Sequence, residues 1–104
     1  MSFIVVYVTH ENEVKAGKIV DLLLKKRLIA CANTFPIKSS YWWCDNLKSG
    51  GEVVSLLKTK PQLWGAVKKE VEANHPYDVP CIMKFEVEAN KEYEQWVFSQ
   101  TASE

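Results

Sequence analysis

Apolar residues run through this chain in two alternating rhythms, and the switches between them predict six elements and a short seventh. Phe3 to Thr9 is a continuous apolar and β-branched run, the mark of a strand that lies centrally in a sheet or is covered on both faces. Asn12 reads as an N-cap, after which Ala16, Ile19, Val20, Leu23 and Leu24 recur at helical spacing with Lys15, Lys18, Asp21 and Lys25 turned outward. That predicts an amphipathic helix of about four turns, whose basic end Lys25-Lys26-Arg27 complements its dipole. Extended character returns from Leu28 to Phe35 and continues past Pro36 to Trp43. Pro36 cannot donate to a ladder, so it marks an edge position or a bulge. The polar stretch Asp45 to Gly51 predicts a turn, and Glu52 to Thr59 a third strand, making residues 29–59 one long hairpin.

Pro61 suits the first position of a second helix whose Leu63, Ala66, Val67 and Val71 share one face. Gly65 within it costs about 1 kcal/mol relative to alanine, which implies close packing there. Pro76 ends this helix near Asn74. Val79 to Val87 reads as a fourth strand, Tyr93, Trp96 and Val97 as a short terminal helix, and Thr101 to Glu104 as a frayed tail. The order strand, helix, strand, strand, helix, strand is the split βαβ arrangement, an α+β ferredoxin-like fold with an antiparallel sheet and two helices on one face. Two helices cover one side of four strands. Val5, Tyr7 and Leu56 then leave apolar surface on the other side, and Tyr41, Trp42 and Trp43 load the hairpin with aromatics, so self-assembly is expected.

Composition narrows the function classes. The 104 residues hold one domain, 1–104, with one core. Thirteen Lys and Arg balance thirteen Asp and Glu, without a long basic run, which argues against nucleic-acid and membrane-surface partners. The apolar start is too short for a signal h-region or a membrane span, so a soluble cytoplasmic protein is expected. Cys31, Cys44 and Cys81 are odd in number and widely spaced, which fits neither a disulfide framework nor a C-x-x-C pair.

The densest chemistry lies in His75-Pro-Tyr-Asp-Val-Pro-Cys81, a proline-stiffened corner carrying an imidazole, a phenol, a carboxylate and a thiol. Tyr77 and Asp78 read either as ligand groups or as caps for backbone at a helix end. His75, Cys81, Cys44 and Cys31 are the candidate metal ligands, with Asp45 or Glu52 as further donors, because imidazole and thiolate suit copper and zinc. No two lie at a short chelating spacing, so folding or assembly must bring them together. Cys31, mid-strand, reads more readily as a small buried hydrophobe than as a ligand, and Cys44 more readily as an exposed, reactive thiol. His10, just after the first strand, reads as solvent-facing and is given no role.

Ala16 to Val20, Lys26 to Asn33, Ser39-Ser-Tyr-Trp-Trp43, Glu52, Lys58-Thr59, His75-Pro-Tyr-Asp-Val-Pro80, Tyr93 and Trp96 resemble, in order and spacing, the CutA divalent-cation-tolerance family. The resemblance spans essentially the whole chain. It implies a PII-like homotrimer, a link to copper and other divalent metals, and a cleft between subunits where Tyr41 to Trp43 meets the His75 corner; no family-wide enzyme activity comes with it. Two departures stand out: Cys81 replaces the family's usual Glu after the second proline, and Cys44-Asp45 replaces an acidic or polar residue followed by Gly. Two added thiols favour soft or borderline ions such as copper(I) or zinc. Cys81, His75 and Asp78 match a thiol-catalytic set by residue type alone, and motifs such as G-x-S-x-G and H-E-x-x-H are absent. A PII-like small-molecule sensor, with Lys58 and Arg27 holding an anion between aromatic walls, is the alternative to metal binding. Tyr41, Trp42, Trp43 and Trp96 are the expected interface anchors.

Overall fold

The computed structural model describes residues 2–103; Met1 and Glu104 lie outside the described residues. Four strands and three α-helices follow the order β1 (Phe3–His10), α1 (Glu13–Lys25), β2 (Cys31–Trp43), β3 (Asn46–Thr59), α2 (Trp64–Asn74), β4 (Ile82–Val87) and α3 (Lys91–Gln100). The sheet order is β2-β3-β1-β4 and every pairing is antiparallel. Putting the earliest strand in the centre explains its unbroken apolar run.

Side-chain alternation decides which residues meet which layer. Ile4, Val6 and Val8 of β1 and Leu57 of β3 point to one face and are fully buried against Ile19 and Leu23 of α1 and Leu63, Val67 and Val71 around α2. The opposite parity gives Val5, Tyr7, Leu56, Met83 and Phe85, which share the other face. Its lower end is covered by α3: Tyr93 packs its ring 5.8 Å from that of Phe3 and places its hydroxyl 3.2 Å from Cys31 Sγ, while Val54, opposite Thr9 near the upper end, is also buried. Phe85 stays 50% exposed and Met83 43%.

The caps follow the sequence closely at α1. Asn12 Oδ1 accepts from the Lys15 amide at 2.9 Å. At the other end Arg27 takes a left-handed φ of 58° and the Leu28 amide reaches back to the Leu23 carbonyl, which closes the last turn.

Several expectations need correction. The polar stretch 45–51 is not a broad turn: the reversal is made by Cys44 and Asp45 alone, at φ 50° and 62°, and residues 46–51 are strand. Two left-handed central residues are what a primed two-residue hairpin needs, and the polar sequence beyond them reflects exposure rather than reversal. The ladder runs without a bulge from Cys31↔Lys58 to Trp43↔Asn46, passing Pro36↔Val53, so Pro36 is an edge residue. Pro61 opens a single 3-10 turn, Pro61–Leu63, before α2 starts. Gly65 has no atom within 4 Å of where a Cβ would stand, so close packing is not its reason. Strand β4 begins at Ile82 rather than Val79, because Pro76 and Pro80 hold the intervening backbone out of the ladder. The tail is tied down through Ala102, whose amide donates to the Arg27 carbonyl at 2.7 Å, and Thr101 is buried. Glu104 is outside the described residues.

Residues 37–43 and 46–52 pair only with each other, so the hairpin projects beyond the four-stranded sheet as a two-stranded arm. The molecule is accordingly long, 45 × 25 × 21 Å. Leu57→Ala should lower the unfolding free energy by about 3 kcal/mol, since the cavity it leaves is walled on every side. Asp45→Gly should raise it by up to about 1 kcal/mol by relieving a left-handed residue. Guanidinium denaturation at one fixed protein concentration checks both.

Candidate functional site

The corner at 75–81 is held to the sheet by His75, whose two ring nitrogens are both in use. Nε2 lies 2.7 Å from the Thr9 carbonyl oxygen, which can only accept, so this nitrogen carries the proton. Nδ1 accepts from the Tyr77 amide at 3.2 Å. The ring clasps the end of β1 to the corner, and Tyr77 packs edge-on against it with centroids 4.6 Å apart. Tyr77 then reaches across to β3 and donates its hydroxyl hydrogen to Glu52 Oε2 at 2.7 Å. Burial, reinforced by that carboxylate, pushes the phenol well above its ordinary range.

These contacts frame a cleft of about 410 Å³ lined by Thr9, Tyr41, Trp43, Glu52, Pro76, Tyr77, Asp78, Val79 and Cys81. Register explains the grouping. Thr9 and Glu52 lie on the face away from α1 and α2, Tyr41 and Trp43 continue the same parity up the arm, and Cys81 stands one position before Ile82, beside Thr9. Burial and then Glu52 raise the Cys81 thiol above its ordinary value, so it stays protonated at neutral pH.

The cleft therefore brings together Cys81, Tyr41, Trp43, Tyr77 and Asp78 from the expected set. His75 stands behind it with its nitrogens spent on backbone. Trp42 has the other parity and shares the far side of the arm with Leu47, both about 70% exposed. Cys44 is exposed at the hairpin turn. Cys31 pairs with Tyr93, whose hydroxyl it helps raise to about 12; three strands across and four rows along, it is on the order of 20 Å from Cys81. Trp96 is near it, 5.6 Å from the Tyr93 ring. Lys58 lies on the bare face bonded to Asn33, and Arg27 bonds to Gln100, so neither lines the cleft. Among the described residues no three His, Cys, Asp or Glu side chains converge on a point that could hold a metal ion.

His10 is where the sequence reading missed most. It is 1% exposed rather than solvent-facing, with Nε2 2.7 Å from Ser55 Oγ and its ring stacked 5.6 Å from His75. Its Nδ1 is buried without a hydrogen-bond partner among the described residues. The available signal was parity: Ile4, Val6 and Val8 point inward, and His10 continues their row.

The sheet order, the helices and the proline corner define a ferredoxin-like α+β protein of the PII-like kind. The family profile of the CutA1 divalent ion tolerance protein matches residues 4–100. The divalent-cation tolerance protein CutA of Pyrococcus horikoshii is 40% identical over 99 residues, covering 94% of this chain and 97% of the relative. Among solved structures, CutA1 from Oryza sativa overlays with a TM-score of 0.95 at 32% identity, across 100% of this chain and 97% of that one. A PII-like protein CutA from Nostoc overlays at 0.89 and 25% identity, across 95% and 97%. The chain belongs to the CutA1 divalent ion tolerance family.

Burial lowers the His10 imidazole from 6.5 to about 4, with like-charge repulsion from His75 adding to the shift and Glu52 opposing it. The unfolded imidazole binds a proton that the folded one refuses, so the stabilisation is complete above about pH 6.5 and is lost as pH falls toward 4. The loss should reach roughly 3 kcal/mol. His10→Gln should remove that part of the acid limb, read as the change in unfolding free energy between neutral and mildly acidic buffer.

Proposed function

We propose that this protein is a non-enzymatic homotrimer that binds divalent or soft metal ions, copper foremost, in the cytoplasm and contributes to divalent-cation tolerance. The observation that carries the binding part is the cleft itself: Glu52, Asp78 and the Cys81 thiol line it, and none of its described lining residues is Lys, Arg or His. Such a lining favours a cation, and sulfur beside carboxylate favours copper or zinc over magnesium. One subunit offers too few converging donors for a closed site, so the remaining ligands come from water or a second subunit. The relatives named as divalent-cation tolerance proteins agree with this reading.

The trimer reading rests on surface that one subunit leaves bare. Met83 and Phe85 on the sheet, and Tyr41, Trp42, Trp43 and Leu47 on an arm paired on one side only, form apolar area that a lone chain would present to water. The non-enzymatic part is supported by the corner: a nucleophilic thiol needs an accepting base, whereas Cys81 holds its proton and both nitrogens of His75 are bonded to backbone groups. A cytoplasmic setting suits three free thiols. A second reading, a small-molecule sensor in the manner of PII proteins, draws on the cleft's size, about 410 Å³, which is generous for a bare ion.

Sedimentation of the intact chain should give three subunit masses. Phe85→Glu, on the edge strand β4 of the bare face, should drive it to single subunits, and Trp43→Ala should lower stability by about 2 kcal/mol; an unchanged mass and stability for both would overturn the assembly. Copper and zinc calorimetry should show saturable binding that weakens about tenfold or more in Cys81→Ser. The wild-type affinity should climb with pH, because the raised thiol must lose its proton to ligate. Heat from a nucleotide panel without heat from metal would select the sensor instead.

A further inference from the structure

The walls of the cleft are more than an inorganic ion requires. Tyr41 and Trp43 reach it from the arm and Tyr77 from the corner, so three aromatic rings line a volume of about 410 Å³ together with the Glu52 and Asp78 carboxylates. Tyr77 is fixed in place by its hydrogen bond to Glu52 and its edge contact with His75. One Glu52 oxygen holds that phenol; the other has no hydrogen-bond partner among the described residues. Trp43 lines the cleft from the arm, opposite Tyr77 of the corner.

Aromatic faces are negative at their centres and attract cations, and they gain most with weakly hydrated alkylammonium groups, whose methyls also bury apolar area. A small hard ion keeps its water and profits little from rings. Carboxylates alone would hold any cation; rings alone would hold any apolar group. We propose that the cleft binds a small organic cation, an alkylated or quaternary ammonium, with its head group against Tyr41, Trp43 and Tyr77 and its charge balanced by Glu52 and Asp78. This rests on the reading of the cleft as a cation site and adds the class of guest that its shape and rings select.

The test is calorimetry on the full-length chain with choline chloride and with dimethylbutanol, the neutral carbon isostere of choline. Choline should give a saturable heat and bind at least about tenfold more tightly than the isostere. Glu52→Gln, which keeps shape and removes charge, and Trp43→Leu, which removes a ring, should each weaken choline about tenfold, while Trp43→Phe should retain most of the binding. Equal affinity for the charged and neutral probes, no saturable choline heat, or indifference to both Glu52→Gln and Trp43→Leu would overturn the inference. Zinc titrated in parallel separates it from the metal reading: choline binding that survives in Cys81→Ser while zinc binding is lost supports the inference, and zinc binding without choline binding defeats it alone.

Discussion

Everything in this molecule follows from a sheet that is sealed on one side and not on the other. Helices α1 and α2 bury Ile4, Val6, Val8 and Leu57 completely, and that contact supplies most of the core. Helix α3 covers only the lower end of the second face, through Tyr93 against Phe3 and Cys31. The area left over is apolar and continuous with an arm that has neighbours along one side only. A two-stranded ribbon of this length is marginal in water on its own, so the same deficit that exposes Phe85 also leaves Tyr41 and Trp43 in search of a surface.

The corner after α2 converts that geometry into a site. Two prolines keep residues 75–81 out of both helix and ladder, and His75 ties them to the end of β1 at the Thr9 carbonyl. Tyr77 then bridges to Glu52 on the neighbouring strand. The chain crosses from the helix-covered face, where His10 and His75 stack, to the bare face, where Cys81 and Glu52 look into the cleft. One side of the clasp is dry and neutral, the other acidic and open. Burial disfavours the charged form on both sides, lowering the His10 imidazole and raising the Cys81 thiol and the Tyr77 phenol.

Much of this was legible along the chain because local signals agreed with the global arrangement. The apolar run of β1, the Asn12 cap and the periodicity of α1 each stated their element unambiguously, and the alternation of Val5, Tyr7 and Leu56 announced the bare face. What misled was polarity read as shape. Asn46 to Gly51 looked like a turn because it is exposed and contains two glycines, yet exposed strands carry the same residues. The site was half legible: the corner was visible from its prolines, whereas the dispersal of Cys31, Cys44 and Cys81 depends on strand order, which spacing does not encode. His10 was misplaced because its polarity was weighed above its parity.

The unbroken ladder of the arm carries a consequence for how such proteins diverge. Side chains change sides at every residue, so adding or deleting one position in β2 between Pro36 and Tyr41 would turn Tyr41 and Trp43 away from the pocket and bring Trp42 toward it. Length changes that preserve the pocket are confined to the reversal at Cys44 and Asp45, since even a paired insertion lower in β2 keeps the side but carries both rings up the arm. Evolution can reshape this finger at its tip, and disturbs the pocket when it does so at the base.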